Sequence, residues 1–139
     1  MKKIVFLFMA LAVMFTSCDL DTFDNGDLEG MWKVQGIDSL TNGRYVDKSQ
    51  TQMAFAVQKR LLQLSGAGAT VLCRFEHKGD SLVVYDPRKP GSNNPPVETV
   101  DALRPYGFTS LRMSFHIDLL NGKRMILRTD DLKLYFEKY

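Results

Sequence analysis

Cysteine is scarce in this chain: 139 residues hold two, Cys18 and Cys73. Two thiols rule out a disulfide framework and leave a cysteine-based metal site short of ligands. Histidine is as thin, with only His77 and His116, and neither has a partner at metal-ligand spacing. Long apolar runs are missing. The run Ile4–Phe15 has 12 residues, whereas a spanning helix needs about 20. Proline is absent outside one stretch; Pro87, Pro90, Pro95, Pro96 and Pro105 all fall between Asp86 and Phe108. No Lys/Arg run is dense enough for a nucleic-acid partner. Gly-x-Ser-x-Gly does not occur, and "SGAGAT" lacks the Lys-Ser/Thr ending of a phosphate loop, so it reads as a turn. Asp130-Asp131 sits in a tight turn and faces solvent, and Asp38 and Asp118 could meet only across a closed barrel. The expectation is a non-enzymatic protein without cofactor or metal.

The N-terminus carries an address. Lys2 and Lys3 precede the short apolar run, as in a secretory leader. Thr16-Ser17-Cys18 closes that run and resembles a bacterial lipobox, in which the cysteine is acylated and becomes the first mature residue. Phe15 stands where that signal usually has leucine. The resemblance implies a leader over 1–17, a lipidated (palmitate-type) Cys18 and a membrane held by acyl chains, of which stable anchoring takes more than one. Asp19, Asp21, Asp24 and Asp27 follow, with Asn25 and Gly26 among them. They form an acidic tether over 18–27, similar to the export tail of surface lipoproteins of Bacteroidetes. Two destinations stand: an outer-membrane lipoprotein at the cell surface, or one facing the periplasm. Removing Lys2 and Lys3 from the 18 basic residues leaves 16, matching the 16 acidic ones, so the mature chain is neutral.

Downstream the pattern is mostly period two. In "LRMSFHIDL", Leu111, Met113, Phe115, Ile117 and Leu119 point one way and Arg112, Ser114, His116 and Asp118 the other. Asn121-Gly122 turns this strand into "RMILRT", and Asp130-Asp131 turns that into "LKLYFEKY", with Leu132, Leu134 and Phe136 on one face. "TVLCRFEHKGDSLVVYD" is a second hairpin. It puts Val71, Cys73 and Phe75 on a shared face, where the lone thiol is protected from oxidation. "MWKVQGIDSL" is a first strand, turned by Asn42-Gly43. "MAFAVQKRLLQL" stays open. Its residues suit a helix, while as a single strand it needs a bulge near Lys59 because Leu62 and Leu64 fall on the opposite parity to Met53, Phe55 and Val57. The proline-rich stretch is a long loop in which "TVDALRPYG" holds one helical turn, capped by Thr99 and ended by Pro105. The fold class is all-β: an antiparallel up-and-down barrel of seven or eight strands over 28–139, with one long loop carrying that turn.

"LEGMWKVQGI" adds a family. Gly30-Met31-Trp32 resembles the Gly-x-Trp motif at the start of a lipocalin, and with the lipobox the chain looks like the small lipocalin-like lipoproteins of Bacteroidetes. The resemblance implies that Trp32 packs across the closed end of the barrel beneath a basic side chain of a late strand, Arg128 or Lys138. It also tips "MAFAVQKRLLQL" toward strand. Its functional implication is a small apolar or amphipathic ligand in the barrel, against Phe55, Val57, Phe75, Met113, Phe115, Leu134 and Phe136, with Tyr106 and Phe108 as a lid. The domain is shorter than a typical lipocalin, and its large rings compete with a ligand for an interior that an eight-stranded barrel can fill by itself. The alternative is therefore a filled barrel serving as an accessory subunit of an envelope assembly, with Pro87–Phe108 contacting a protein partner. Which way the four phenylalanine rings point decides between the two.

Overall fold

The computed structural model describes residues 25–139. The leader, Cys18 and the acids Asp19, Asp21 and Asp24 lie outside the described residues. Among those described, no helix is long and apolar enough to cross a membrane.

Nine strands form one antiparallel sheet: β1 (Gly30–Ser39), β2 (Tyr45–Asp47), β3 (Ala54–Gln58), β4 (Leu61–Ser65), β5 (Val71–Lys78), β6 (Ser81–Arg88), β7 (Met113–Leu120), β8 (Arg124–Arg128) and β9 (Leu132–Lys138). Each of β3 to β9 pairs with the next, and β9 returns to β1 from Trp32↔Lys138 to Ser39↔Leu132, closing the barrel. β2 and β3 are two halves of one wall strand. Both run along β1, β3 against Gly30–Lys33 and β2 against Gly36–Asp38. The chain loops out between them and is stitched back by Val34 N–H to Met53 O at 2.9 Å and Lys48 N–H to Gln35 O at 2.8 Å. The barrel is thus eight-stranded, with no open edge around its girth.

Alternation puts Trp32, Val34, Phe55, Val57, Leu62, Leu64, Leu82, Val84, Leu127, Leu134 and Phe136 inside. "MAFAVQKRLLQL" is neither a helix nor a bulged strand but a hairpin. Its parity break is a two-residue turn, Lys59-Arg60, flanked by the pair Gln58↔Leu61. Lys59 adopts φ 56°, a conformation that carries strain for a non-glycine residue. The segment before β1 holds it there. Asn25 Nδ2 donates to Lys59 O at 2.6 Å, and the Lys59 N–H donates to Glu29 Oε1 at 3.2 Å. Asn25 also donates to the Glu29 carboxylate, and Gly26–Leu28 makes a single 3-10 turn.

That turn sets the closed end. Trp32 is fully buried, and its Nε1 donates to Leu28 O at 2.8 Å. Lys138, not Arg128, covers the ring. Its Nζ lies 4.8 Å from the ring centroid and donates to Asp27 O at 2.9 Å. Arg128 belongs to the opposite end of its strand, paired with Lys133 rather than with the Trp32 row. Gly30 makes room for the lysine: at φ 130°, a Cβ there would stand 3.1 Å from Lys138 Cε.

Two strand faces depart from strict alternation. A register shift between Ile117 and Leu119 turns Leu119 outward and Leu120 toward the core, and Leu111 precedes β7 and is exposed, so of the expected face Met113, Phe115 and Ile117 point inward. On β6, Asp86 (φ 52°) and Pro87 stand opposite the single residue Cys73. Phe75 stays on the inward face opposite the buried Val84, but beyond the end of β4 it is only half-buried against the core. On the outer wall Gly36 has no side chain because the Tyr45 hydroxyl occupies that space. Tyr45 meets Tyr135 edge to face, with ring centroids 6.1 Å apart.

Cys73 is buried, as its strand parity requires, and burial, helped by Asp86, pushes its thiol up to about 12. The thiol therefore stays protonated in the folded chain well above the pH at which an unfolded one ionises. Iodoacetamide at pH 8 is expected to leave Cys73 unmodified until denaturant unfolds the barrel, as read by mass spectrometry; rapid native labelling would contradict this burial. Trp32→Ala should cost about 3–5 kcal/mol in denaturant unfolding.

Candidate functional site

Phe55 sits at the centre of the barrel interior. Its ring meets Phe136 at 4.9 Å, Tyr106 at 6.3 Å and Phe108 at 6.5 Å between centroids, and Phe108 meets Phe115 at 5.6 Å, all edge to face. Val57, Leu134 and Met113 fill the spaces beside them. Of the predicted ligand wall, Phe55, Val57, Phe115, Leu134 and Phe136 are buried against one another. Phe75 stands half-buried at the barrel's lower side, where it lines a different, shallower cleft.

The lid residues are a plug. The long loop first folds back along β6: Arg88 bridges Val97, Lys89 N–H donates to Pro96 O at 3.0 Å, and Arg88 Nη1 donates to Pro95 O at 3.1 Å. Glu98 is buried and accepts from Thr99 N at 2.9 Å. Thr99 then caps helix α1 (Val100–Leu103), accepting from Ala102 N. Pro105 does not end this segment. It sits early in a 3-10 turn, Arg104–Tyr106, where no N–H is needed, and Gly107 at φ 91° terminates the turn. The turn drives Tyr106 and Phe108 into the barrel mouth, where both are buried. The Tyr106 hydroxyl donates to Ala69 O at 2.7 Å and accepts from Ala67 N at 3.2 Å, tying the plug to the β4–β5 loop. Tyr106 and Phe108 are therefore spent inside the barrel, while the finger at 89–96 and the exposed Asp101, Arg104 and Pro105 face outward.

Open space lies beside the plug. The β6–β7 ladder pairs Ser81–Val84 with His116–Met113, while the β7–β8 ladder starts only at His116↔Arg128. Residues 113–115 of β7 thus have a strand neighbour on one side only. On the other side, the β8–β9 turn at 129–132 stands away and leaves a cleft of about 870 Å³. Its apolar wall is Met113, Phe115 and Leu132; its polar rim includes Thr109, Ser114, His116 and Arg128. The rim is held in place. Asp118 accepts from Arg128 Nε at 3.1 Å and attracts Lys133 Nζ at 3.6 Å, with His116 Nδ1 at 3.8 Å. This places Asp118 in a basic cluster on the outer wall. Among the described residues no three His, Cys, Asp or Glu side chains converge as a metal site.

Met113 and Phe115 are the predicted wall residues that reach this cleft. Sequence reasoning missed Thr109, Ser114 and Leu132. Alternation assigned Ser114 to the outer face correctly, but no sequence signal announces that β8 stops short of it.

A closed, eight-stranded antiparallel barrel with a tryptophan-sealed end and a plugged mouth is the architecture of a lipocalin-like domain. The chain belongs to that family, whose sequence profile, described as a lipocalin-like domain, matches residues 13–139. Among solved structures it is similar to a lipocalin-like protein from Bacteroides uniformis. That match has 18% identity and a TM-score of 0.63, covering 82% of this chain and 100% of the other. It is also similar to an uncharacterized protein from Bacteroides eggerthii, with 19% identity, a TM-score of 0.57 and coverage of 80% and 98%. At these identities the likeness concerns the fold. No curated protein matches the chain.

Tyr106→Phe removes both bonds of the plug hydroxyl and strands the Ala69 carbonyl, so it should cost about 1–3 kcal/mol by denaturant melting. A loss near zero would mean that the plug is held by its rings alone.

Proposed function

We propose that this protein is a lipid-anchored binding module whose small amphipathic ligand lies in the cleft beside the plug, not in the barrel interior. One observation carries the reading: the interior is filled by its own rings, while the cleft next to it joins Met113, Phe115 and Leu132 to a rim of Ser114, His116 and Arg128. Such a surface accommodates an apolar body and a polar head. The anchor rests on Cys18 behind the short apolar run, and the acids Asp19, Asp21, Asp24 and Asp27 support an outer-membrane lipoprotein exported to the cell surface.

The accessory-subunit reading keeps one specific support, the exposed finger at 89–96 projecting beyond β6. In that reading the finger, without Tyr106 and Phe108, meets a protein partner of the envelope.

Native mass spectrometry of the mature chain after mixing with an envelope extract tests the binding reading. A retained small-molecule adduct is expected. Ser114→Trp, which fills the cleft from an exposed position without touching the core, should abolish it. An adduct that survives Ser114→Trp places the ligand elsewhere, and a clean apo mass transfers the case to the finger. For the anchor, Cys18→Ala should end palmitate labelling and move the protein from the membrane pellet to the supernatant.

A further inference from the structure

A second cleft, of about 590 Å³, opens at the closed end of the barrel. It exists because β4 pairs with β5 only from Leu61↔Arg74 to Leu64↔Val71, so β5 runs on past the β3–β4 turn through Phe75 and His77 without a β4 neighbour. Lys59, Arg60, Arg74 and His77 line it together with the rings of Phe75 and Tyr85, and among the described residues no carboxylate does. Two acids adjoin it and are already engaged. Asp86 accepts from Arg88 Nε at 2.8 Å and stands 3.8 Å from Arg74, while Glu29 accepts from the Lys59 N–H and from Asn25. Arg112 lies over the Tyr85 ring at 5.3 Å and adds a further cation nearby. The excess is positive, mixed with aromatic and aliphatic surface that includes the exposed Leu61.

The position of the cleft says what it meets. Asn25, the first described residue, is part of its lining. Six residues lie between Cys18 and Asn25, and the seven chain steps that join them span at most about 25 Å when fully extended. An acylated Cys18 therefore keeps this end of the barrel, rather than the plugged mouth, next to the bilayer. We propose that the cleft docks on anionic lipid headgroups, its cations on phosphate and its rings at the headgroup level, so that the barrel stands closed end down. This rests on the lipid anchor proposed above. The acids Asp19, Asp21 and Asp24 are repelled by such a surface, which leaves the cleft as the contact.

The test removes the acyl chain. The mature chain carrying Cys18→Ser is sedimented with vesicles of phosphatidylcholine alone or of phosphatidylcholine mixed with phosphatidylglycerol. Each cation near an anionic bilayer strengthens binding by about fivefold. Lys59→Gln, Arg60→Gln and Arg74→Gln together should thus weaken binding to the mixed vesicles by roughly 100-fold, with little effect on the neutral ones. Protection of Cys73 from alkylation verifies that the variant is folded. Equal binding to both vesicles, or a folded triple variant that binds the mixed vesicles as well as its parent, overturns the docking surface. Palmitate labelling of the unmodified chain is read separately, so an anchor that fails there and a cleft that fails on vesicles are told apart.

Discussion

The volume inside an eight-stranded barrel is fixed by strand number and tilt, and here it is filled from both ends. From the closed end come Trp32 and the layer above it; from the mouth come Tyr106 and Phe108, meeting Phe55 in the middle. Everything else follows from that filling. A wide-open barrel would offer its axis to a ligand; this one leaves only the places where the wall itself is incomplete. Both clefts arise from the same cause, a strand that ends before its neighbour does: β8 beside β7, and β4 beside β5. Strand length, rather than the choice of lining residues, positions the sites.

The ends are also built differently. At the closed end the N-terminal segment acts as a strap. Asn25 and Glu29 both bond to Lys59, Asp27 to Lys138 and Leu28 to Trp32. The N-terminal segment is thereby part of the packing and holds the strained Lys59 turn in place. At the mouth the plug is one short loop element with a glycine stop, and its polar tie runs through a single hydroxyl. The more heavily cross-linked end is the one nearest the N-terminus.

Much of the wall was legible in the sequence, because one residue in two must be apolar where a sheet covers a core. Val71, Cys73, Met113, Phe115, Leu134 and Phe136 all fell on the expected face. Legibility failed where backbone geometry overrode parity. The hairpin at Lys59-Arg60 carries no Asn-Gly signature, since its left-handed residue is imposed from outside by Glu29 and Asn25. Leu119 was displaced by a bulge that has no compositional mark, and Phe75 keeps its parity but stands where β4 no longer covers β5. The choice of Lys138 over Arg128 depended on register, which the sequence leaves open until the barrel closes. The cleft escaped the sequence for another reason: identifying inward-facing rings is not the same as finding space between them.

That distinction also explains why the two clefts divide the chemistry. The mouth cleft mixes signs, with Arg128 held by Asp118 and with Asp130 and Asp131 along its rim, so it suits a neutral or zwitterionic head. The lower cleft has cations lining it and acids only outside it. The two clefts share no lining residue, but they come together at the β5–β6 turn, where His77 lines the lower one and Lys78 the upper.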